Sequence, residues 1–131
     1  MFKNSKVFSS FSVNDIKKAK EFYSETLGIN VKEEGDMGLT LQLAGGTKIF
    51  IYPKENHTPA SFTILNFPVE DIDIAAEKLN NLGIQLERYE GMSFTQDEKG
   101  ILRGKAANMG PDIAWVKDPA GNILSILEES E

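Results

Sequence analysis

The sequence predicts an α+β fold: two β-α-β-β-β units forming a cupped, mixed β-sheet of two half-barrels, with the helices on its outer face. Three observations predict it. The periodicity of apolar residues runs strand, helix, strand, strand, strand, and then begins again. The junctions repeat: Val13-Asn14-Asp15 matches Val69-Glu70-Asp71, and Leu27-Gly28-Ile29 matches Leu82-Gly83-Ile84. Several strands carry apolar residues on both parities, Ile49-Phe50-Ile51-Tyr52 above all, so the face without a helix is expected to be partly covered, as in a cavity.

Each element has its own local signal. Residues 6–13 alternate as a strand, with Val7, Phe11 and Val13 on one parity and Phe8, Ser10 and Ser12 on the other. Asn14 or Asp15 caps a helix whose stripe is Ile16, Ala19, Phe22, Tyr23 and Leu27, and Gly28 stops it. Short strands follow near 29–34, 38–43 and 47–52, separated by Gly35 to Gly38 and by Ala44-Gly45-Gly46. Residues 61–69 open the second unit. A helix with Ile72, Ala75, Ala76, Leu79 and Leu82 on one stripe comes next, then a short strand from Ile84 to Arg88. Two last strands, 111–117 and 122–128, flank Asp118-Pro119-Ala120-Gly121, whose proline and glycine suit a type I turn. The chain, 1–131, therefore reads as one domain with unit one at 6–53 and unit two at 61–128. A polar, glycine-containing connection at 90–110 suits a lid, a binding loop or a solvated link carrying one short strand.

Composition narrows the function classes. With 131 residues, 40% hydrophobic and 26% charged, the chain is long enough for a real core. Fourteen Lys and Arg against 20 Asp and Glu give a net charge of -6, which argues against nucleic acid as a partner and weakly permits cationic ligands. The absence of cysteine excludes disulfides and thiolate chemistry, and the single histidine, His57, excludes a two-histidine site within one chain. No apolar run reaches the ~20 residues of a membrane span, and the N-terminus lacks the apolar stretch of a signal peptide, so no membrane association and a cytoplasmic location are expected. Asn56-His57-Thr58 fits a glycosylation sequon by chance. There is no G-x-S-x-G elbow, phosphate-binding glycine loop or H-E-x-x-H pair, and nothing in the sequence places a serine beside His57.

The duplicated unit resembles the vicinal oxygen chelate superfamily, which includes glyoxalases, bleomycin- and fosfomycin-resistance proteins and extradiol dioxygenases. The matching residues are Phe11-Ser12-Val13-Asn14-Asp15 with Phe22-Tyr23 and Leu27-Gly28, and Ala114 to Asn122 with its D-P-x-G-N hairpin. Enzymes of that superfamily hold a divalent metal in the sheet's concavity. The resemblance puts its ligand positions at Phe8, Phe50, Ile64 and Ser125, none a usual ligand. A one-residue shift of register brings in Val7, Ser9, Ile49, Ile51, Thr63, Leu65, Leu124 and Ile126, and still no ligand. The resemblance thus implies a member lacking the metal site: no metal and no cofactor.

Alternation sorts the strand residues into two faces. Val7, Phe11, Val13, Ile49, Ile51, Leu65, Phe67, Val69, Leu124 and Ile126 form the helix-facing core. The other face mixes aromatic, aliphatic and small polar groups, as ligand pockets do. Its candidate ligand-binding residues are Phe8, Ser10, Phe50, Tyr52, Ile64, Asn66, Trp115 and Ser125, with Phe62 and Ile123 on the same parity. Trp115 suits stacking on a flat or cationic ligand, or packing between sheet and helix. Tyr52 and Tyr89 suit a pocket rim. Arg103, Lys105, Asp97 and Glu98 read as solvated residues of the long connection that would meet a charged ligand if it closed.

The leading expectation is a metal-free protein binding an aromatic or amphipathic small molecule, as a sequestering resistance protein does, and acting as a homodimer. The replaced ligand positions weigh against an enzyme. The alternative is a lyase, isomerase or dioxygenase-type enzyme using an unrecognised metal, or acid/base groups such as Tyr52, Asp112 or the long connection. A third reading is an interaction domain whose sheet face is buried in a partner.

Overall fold

Each unit opens with an edge strand that pairs in parallel with the last strand of the same unit. In the computed structural model, which describes residues 1–90 and 95–129, the chain divides into two compact units, Met1–Pro59 and Ala60–Glu131. The first holds strands β1 (Ser9–Val13), β2 (Asn30–Glu33), β3 (Leu39–Gln42) and β4 (Lys48–Pro53) in the order β1-β4-β3-β2. The second holds β5 (Thr63–Val69), β6 (Leu102–Arg103), β7 (Asp112–Lys117) and β8 (Ile123–Glu128) in the order β5-β8-β7-β6. In both sheets the first strand is parallel to its neighbour and the others are antiparallel. A parallel partner requires a crossover, which the helix supplies. The α+β class and its duplicated unit are those the periodicities predict, and each four-stranded sheet has two free edges. No helix among the described residues is long and apolar enough to cross a membrane.

In unit one, helix α1 (Ile16–Lys20) begins at Asp15, whose carboxylate accepts from the amides of Lys17 and Lys18. It continues as a π-helical segment, Glu21–Thr26, where the amide of Leu27 reaches back five residues to the Phe22 carbonyl. The sequence spacing predicts one ordinary helix here. The wider turn lets two adjacent aromatic residues, Phe22 and Tyr23, both face the sheet and be buried. Tyr23 meets Phe22 edge-on at 5.0 Å and Phe11 at 5.9 Å. Val13, Leu39, Leu41, Ile49 and Ile51 complete this core.

In unit two, α2 (Ile72–Asn81) begins at Asp71, which caps the amides of Asp73 and Ile74. Glu128 at the end of β8 accepts from the Ile72 amide at 3.1 Å and so ties the helix start to the sheet. Ile72, Ala76 and Leu79 bury against Ala114, Val116, Leu124 and Ile126. The Asp118–Gly121 turn forms as expected, with the Gly121 amide on the Asp118 carbonyl at 3.0 Å. The Asp118 carboxylate adds bonds to the amides of Ala120 and Asn122 and to the Asn122 side chain.

Four sequence expectations need correction. β1 and β5 begin at Ser9 and Thr63 rather than at 6 and 61. Val7, expected in the core, is therefore 83% exposed. Residues 84–88 are not a strand. The Ile84 amide closes the helix end on the Leu79 carbonyl, and Glu87 reaches β7 through its amide, on the Trp115 carbonyl, and through its carboxylate, on Lys117. The Gln96 side chain takes the place of a ladder partner, accepting from the Tyr89 amide and donating to the carbonyls of Glu87 and Gly100. The long connection, whose residues 91–94 lie outside the described residues, contains β6 paired to β7.

Gly38 shows how tightly unit one is closed. It has φ 139°, and a Cβ there would collide with the backbone carbonyl of Ile51. Gly38→Ala is expected to cost more than ~2 kcal/mol in chemical denaturation. Gly28→Ala, at positive φ with open space around it, is expected to cost only about 1 kcal/mol. Equal losses would mean that the close approach at Gly38 does not constrain the fold.

Candidate functional site

Because each helix covers one side of its sheet, each unit presents a second sheet face. In unit one the strand register places Ser10 opposite Phe50 and Ser12 opposite Tyr52, with Thr40 opposite Phe50 on the other side. Phe50 and Tyr52, two residues apart on β4, stack with ring centroids 6.1 Å apart and planes 19° from parallel. Three of the expected site residues, Ser10, Phe50 and Tyr52, therefore share one surface. Phe8 does not belong to a strand: it precedes β1 and is 64% exposed.

Sequence reasoning missed a pair on this face. The Ser12 hydroxyl lies 2.6 Å from Nδ1 of His57, which comes from the segment after β4. The residues are 45 positions apart. A turn at Lys54 to His57, closed by the His57 amide on the Lys54 carbonyl, returns the chain toward β1. No spacing signal reports such a contact.

In unit two the register Asn66–Ser125–Trp115 runs across β5, β8 and β7, so these three expected residues share one face. Ser125 is 0% exposed and donates to Asn66 Oδ1 at 2.5 Å. Trp115 donates from Nε1 to the Thr63 hydroxyl at 3.2 Å and meets Tyr89 edge-on at 5.6 Å. It thus lies on the face turned away from α2, not between sheet and helix. The Tyr89 hydroxyl is buried with no hydrogen-bond partner among the described residues, and burial, with Glu87 nearby, pushes its pKa up. Ile64 is different. A bulge separates Thr63, opposite Ile123, from Leu65, opposite Leu124. Ile64 is the extra residue without a partner, so alternation from Asn66 does not carry to it, and Thr63 takes the place on this face. Phe62 precedes β5 and is 67% exposed.

Three of the four charged residues expected to be solvated in the long connection, Arg103, Lys105 and Asp97, are tied to the fold, while Glu98 is exposed. Arg103 grips Asp73 of α2 with two bonds, Nη2–Oδ1 at 2.7 Å and Nη1–Oδ2 at 3.1 Å. It also reaches Asp97 at 3.0 Å and Asp112 at 3.5 Å. Lys99 adds a bond to Asp73, and Lys105 pairs with Glu128 at 2.6 Å. Asp112, considered above as an acid/base group, is buried, engaged by Arg103 and by the Lys105 amide, and aligned with Ala114 and Val116 on the helix side. It is withdrawn from the face that carries Trp115. Bonds from Arg103, then Lys99, hold the Asp73 carboxyl well below the usual range. Burial raises that of Asp97, but the Ile101 amide, Arg103 and the Lys99 amide outweigh it and lower the net value. Glu128 is lowered by Lys105 and by the Ile72 amide.

A concavity lies elsewhere in unit two, beside α2. It is a groove of about 880 Å³ between α2, residues 84–88 and Glu98-Lys99, and it includes none of the expected site residues.

The sequence model of the Glyoxalase/Bleomycin resistance protein/Dioxygenase superfamily matches residues 8–126. Solved structures agree in fold. An antibiotic-binding protein from Streptomyces sp. CB03234 is 23% identical with TM-score 0.66, covering 99% of this chain and 100% of that one. A glyoxalase family protein from Enterococcus faecalis is 23% identical with TM-score 0.65, covering 98% and 100%. A genomically encoded fosfomycin resistance protein from Listeria monocytogenes is 12% identical with TM-score 0.68, covering 97% and 94%. No curated protein matches the chain by sequence.

The metal that this fold implies does not fit the side chains present. Of the positions that the resemblance gives, Phe8 and Ile64 lie off the two faces, Phe50 offers only hydrocarbon, and the Ser125 hydroxyl is committed to Asn66; Thr63, in the place of Ile64, accepts from Trp115. Among the described residues, no three His, Asp or Glu side chains converge as a ligand set.

The lowered carboxylates have a pH consequence. A depressed folded-state pKa contributes stability above the unfolded value, and that contribution is lost as pH falls below it. For Asp73 the loss begins below 3.8, its ordinary value. Asp73→Asn is expected to lower the thermal midpoint at neutral pH, and the two curves are expected to converge on acidification toward about pH 2. Parallel curves would remove Asp73 from the acid limb.

Proposed function

The chain belongs to the Glyoxalase/Bleomycin resistance protein/Dioxygenase superfamily, and on that premise we propose that it is a metal-free protein that binds an aromatic or amphipathic small molecule on its open sheet faces. The observation that carries this reading is Trp115. It stands edge-on to Tyr89 on the face away from α2, with the Thr63 hydroxyl and the Asn66–Ser125 pair beside it. Aromatic walls with a few fixed polar groups suit a ligand that is mostly apolar and hydrogen-bonded at a few points. The stacked Phe50 and Tyr52 beside Ser10 and Ser12 repeat that chemistry in unit one. The pairing of likeness to an antibiotic-binding fold with replaced metal positions favours sequestration over turnover, with a homodimer as the working unit and no cofactor.

A second reading, metal-free acid/base chemistry, draws on one observation: the Ser12–His57 contact beside Tyr52. A hydroxyl within hydrogen-bond reach of an imidazole is the minimum arrangement for an activated nucleophile. If it operates, His57→Ala abolishes conversion of a bound compound while binding persists. If the protein only sequesters, no bound compound is consumed at any pH, and the substitution changes affinity alone.

Trp115 is the only tryptophan, so intrinsic fluorescence reports directly on its face. A thermal-shift screen of fosfomycin, bleomycin-type antibiotics, glutathione conjugates and aromatic metabolites is expected to yield a compound that raises the midpoint equally with and without EDTA. That compound is expected to saturate a fluorescence change, and Trp115→Ala, which removes the fluorophore and is therefore followed by thermal shift, to weaken binding roughly tenfold. A shift reversed by EDTA, or near one metal ion per chain in the purified protein, would overturn the metal-free reading.

A further inference from the structure

The groove beside α2 is built from elements that the open faces do not use. Asp73, Ile74, Glu77 and Asn80 follow helical spacing along one side of α2, next to the stripe of buried Ile72, Ala76 and Leu79. Ala76, Ile84 and Leu86 supply apolar lining, and Ile74 adds a large side chain that is 53% exposed. The opposite wall is fixed. Arg88 donates from Nη2 to the Asp97 carbonyl at 2.9 Å and to the Glu98 carbonyl, joining residues 84–88 to 97–99. The volume, about 880 Å³, falls within the range of small-molecule sites, roughly 300–1,000 Å³.

The charge of the lining is one-sided. Asp71, Asp73, Glu77, Glu87 and Glu98 face two cations, Arg88 and Lys99. The cations are already occupied, Lys99 by Asp73 and Arg88 by the two carbonyls. Asp73 and Glu87 are paired with Arg103, Lys99 and Lys117. Glu77 and Glu98 have no ion-pair partner among the described residues. A groove with apolar lining, occupied cations and two unpaired carboxylates is complementary to a cation that carries hydrocarbon.

We propose that this groove is a second binding site, for a small organic amine with an apolar body: hydrocarbon against Ile74, Ala76, Ile84 and Leu86, and ammonium toward Glu77 and Glu98. It is independent of the reading of the open faces, because it shares no residue with them.

Three probes of one shape and different charge separate the possibilities: phenethylamine, phenethyl alcohol and phenylacetate, titrated into the full chain and followed by amide NMR. Phenethylamine is expected to give saturable shifts at Ile74, Glu77, Leu86 and Lys99, and to bind roughly fivefold more tightly than the alcohol at low salt. Phenylacetate is expected to bind weakest. The double variant Glu77→Gln/Glu98→Gln, whose fold the same spectra check, is expected to remove the preference while leaving the alcohol's affinity unchanged. Trp115→Ala is expected to change none of this. Equal affinity for amine and alcohol, shifts centred on Trp115 and Ser125, or no saturable shift would each overturn the proposal. Failure of the open-face reading would leave these outcomes untouched.

Discussion

One helix cannot cover both sides of a four-stranded sheet, and most of what this chain does with its side chains follows from that shortfall. The covered face of each unit is mostly hydrocarbon, with Asp112 at the edge of that of unit two. Leu41 and Ile51 in unit one and Ala114 and Leu124 in unit two are almost fully buried, and each such burial stabilises the fold by roughly 1.5–3 kcal/mol for a large aliphatic side chain. The other face is under no such demand. It carries Ser10, Ser12, Phe50 and Tyr52 in one unit, and Asn66, Trp115 and Ser125 in the other. Ser12, Trp115 and Ser125 have partners there, and the bond to Asn66 keeps buried Ser125 from being a liability.

Electrostatics locks the second unit around its long connection. Arg103 holds Asp73, Asp97 and Asp112 at once, so a helix, a connection and a strand converge on one guanidinium. Only a planar fork with several donors can do this, and a lysine in its place would supply a point charge. Gln96 does the neutral equivalent, satisfying the Tyr89 amide and the carbonyls of Glu87 and Gly100, which join two irregular stretches of the chain. These two residues explain how residues 84–90 and 95–105 are held with little regular structure. They also fix the wall of the groove beside α2.

The repeat was legible because it is written in short-range signals. An aspartate cap, a Leu-Gly stop and a glycine turn recur in both halves, and both helices start at those aspartates, Asp15 and Asp71. The face assignments for Ser10, Phe50, Tyr52, Asn66 and Ser125 follow from strict alternation, which the registers show. Alternation failed where the backbone departs from period two, at the bulge that leaves Ile64 unpaired and moves Thr63 onto the open face. It also failed at the first residues of β1 and β5, because apolar runs continue past the last paired residue. The contacts of Arg103 and the meeting of Ser12 with His57 depend on tertiary closure over tens of residues. No local pattern encodes them.

The central claim is that the open faces bind a small molecule without metal. Its most direct test is amide and indole NMR of the chelator-treated protein, titrated with the strongest compound from a stability screen. Saturable shifts are expected at the Trp115 indole and the Asn66, Ser125, Phe50 and Tyr52 amides, unchanged by adding zinc or manganese. Shifts that appear only once metal is added, or that leave those residues unmoved, would contradict it.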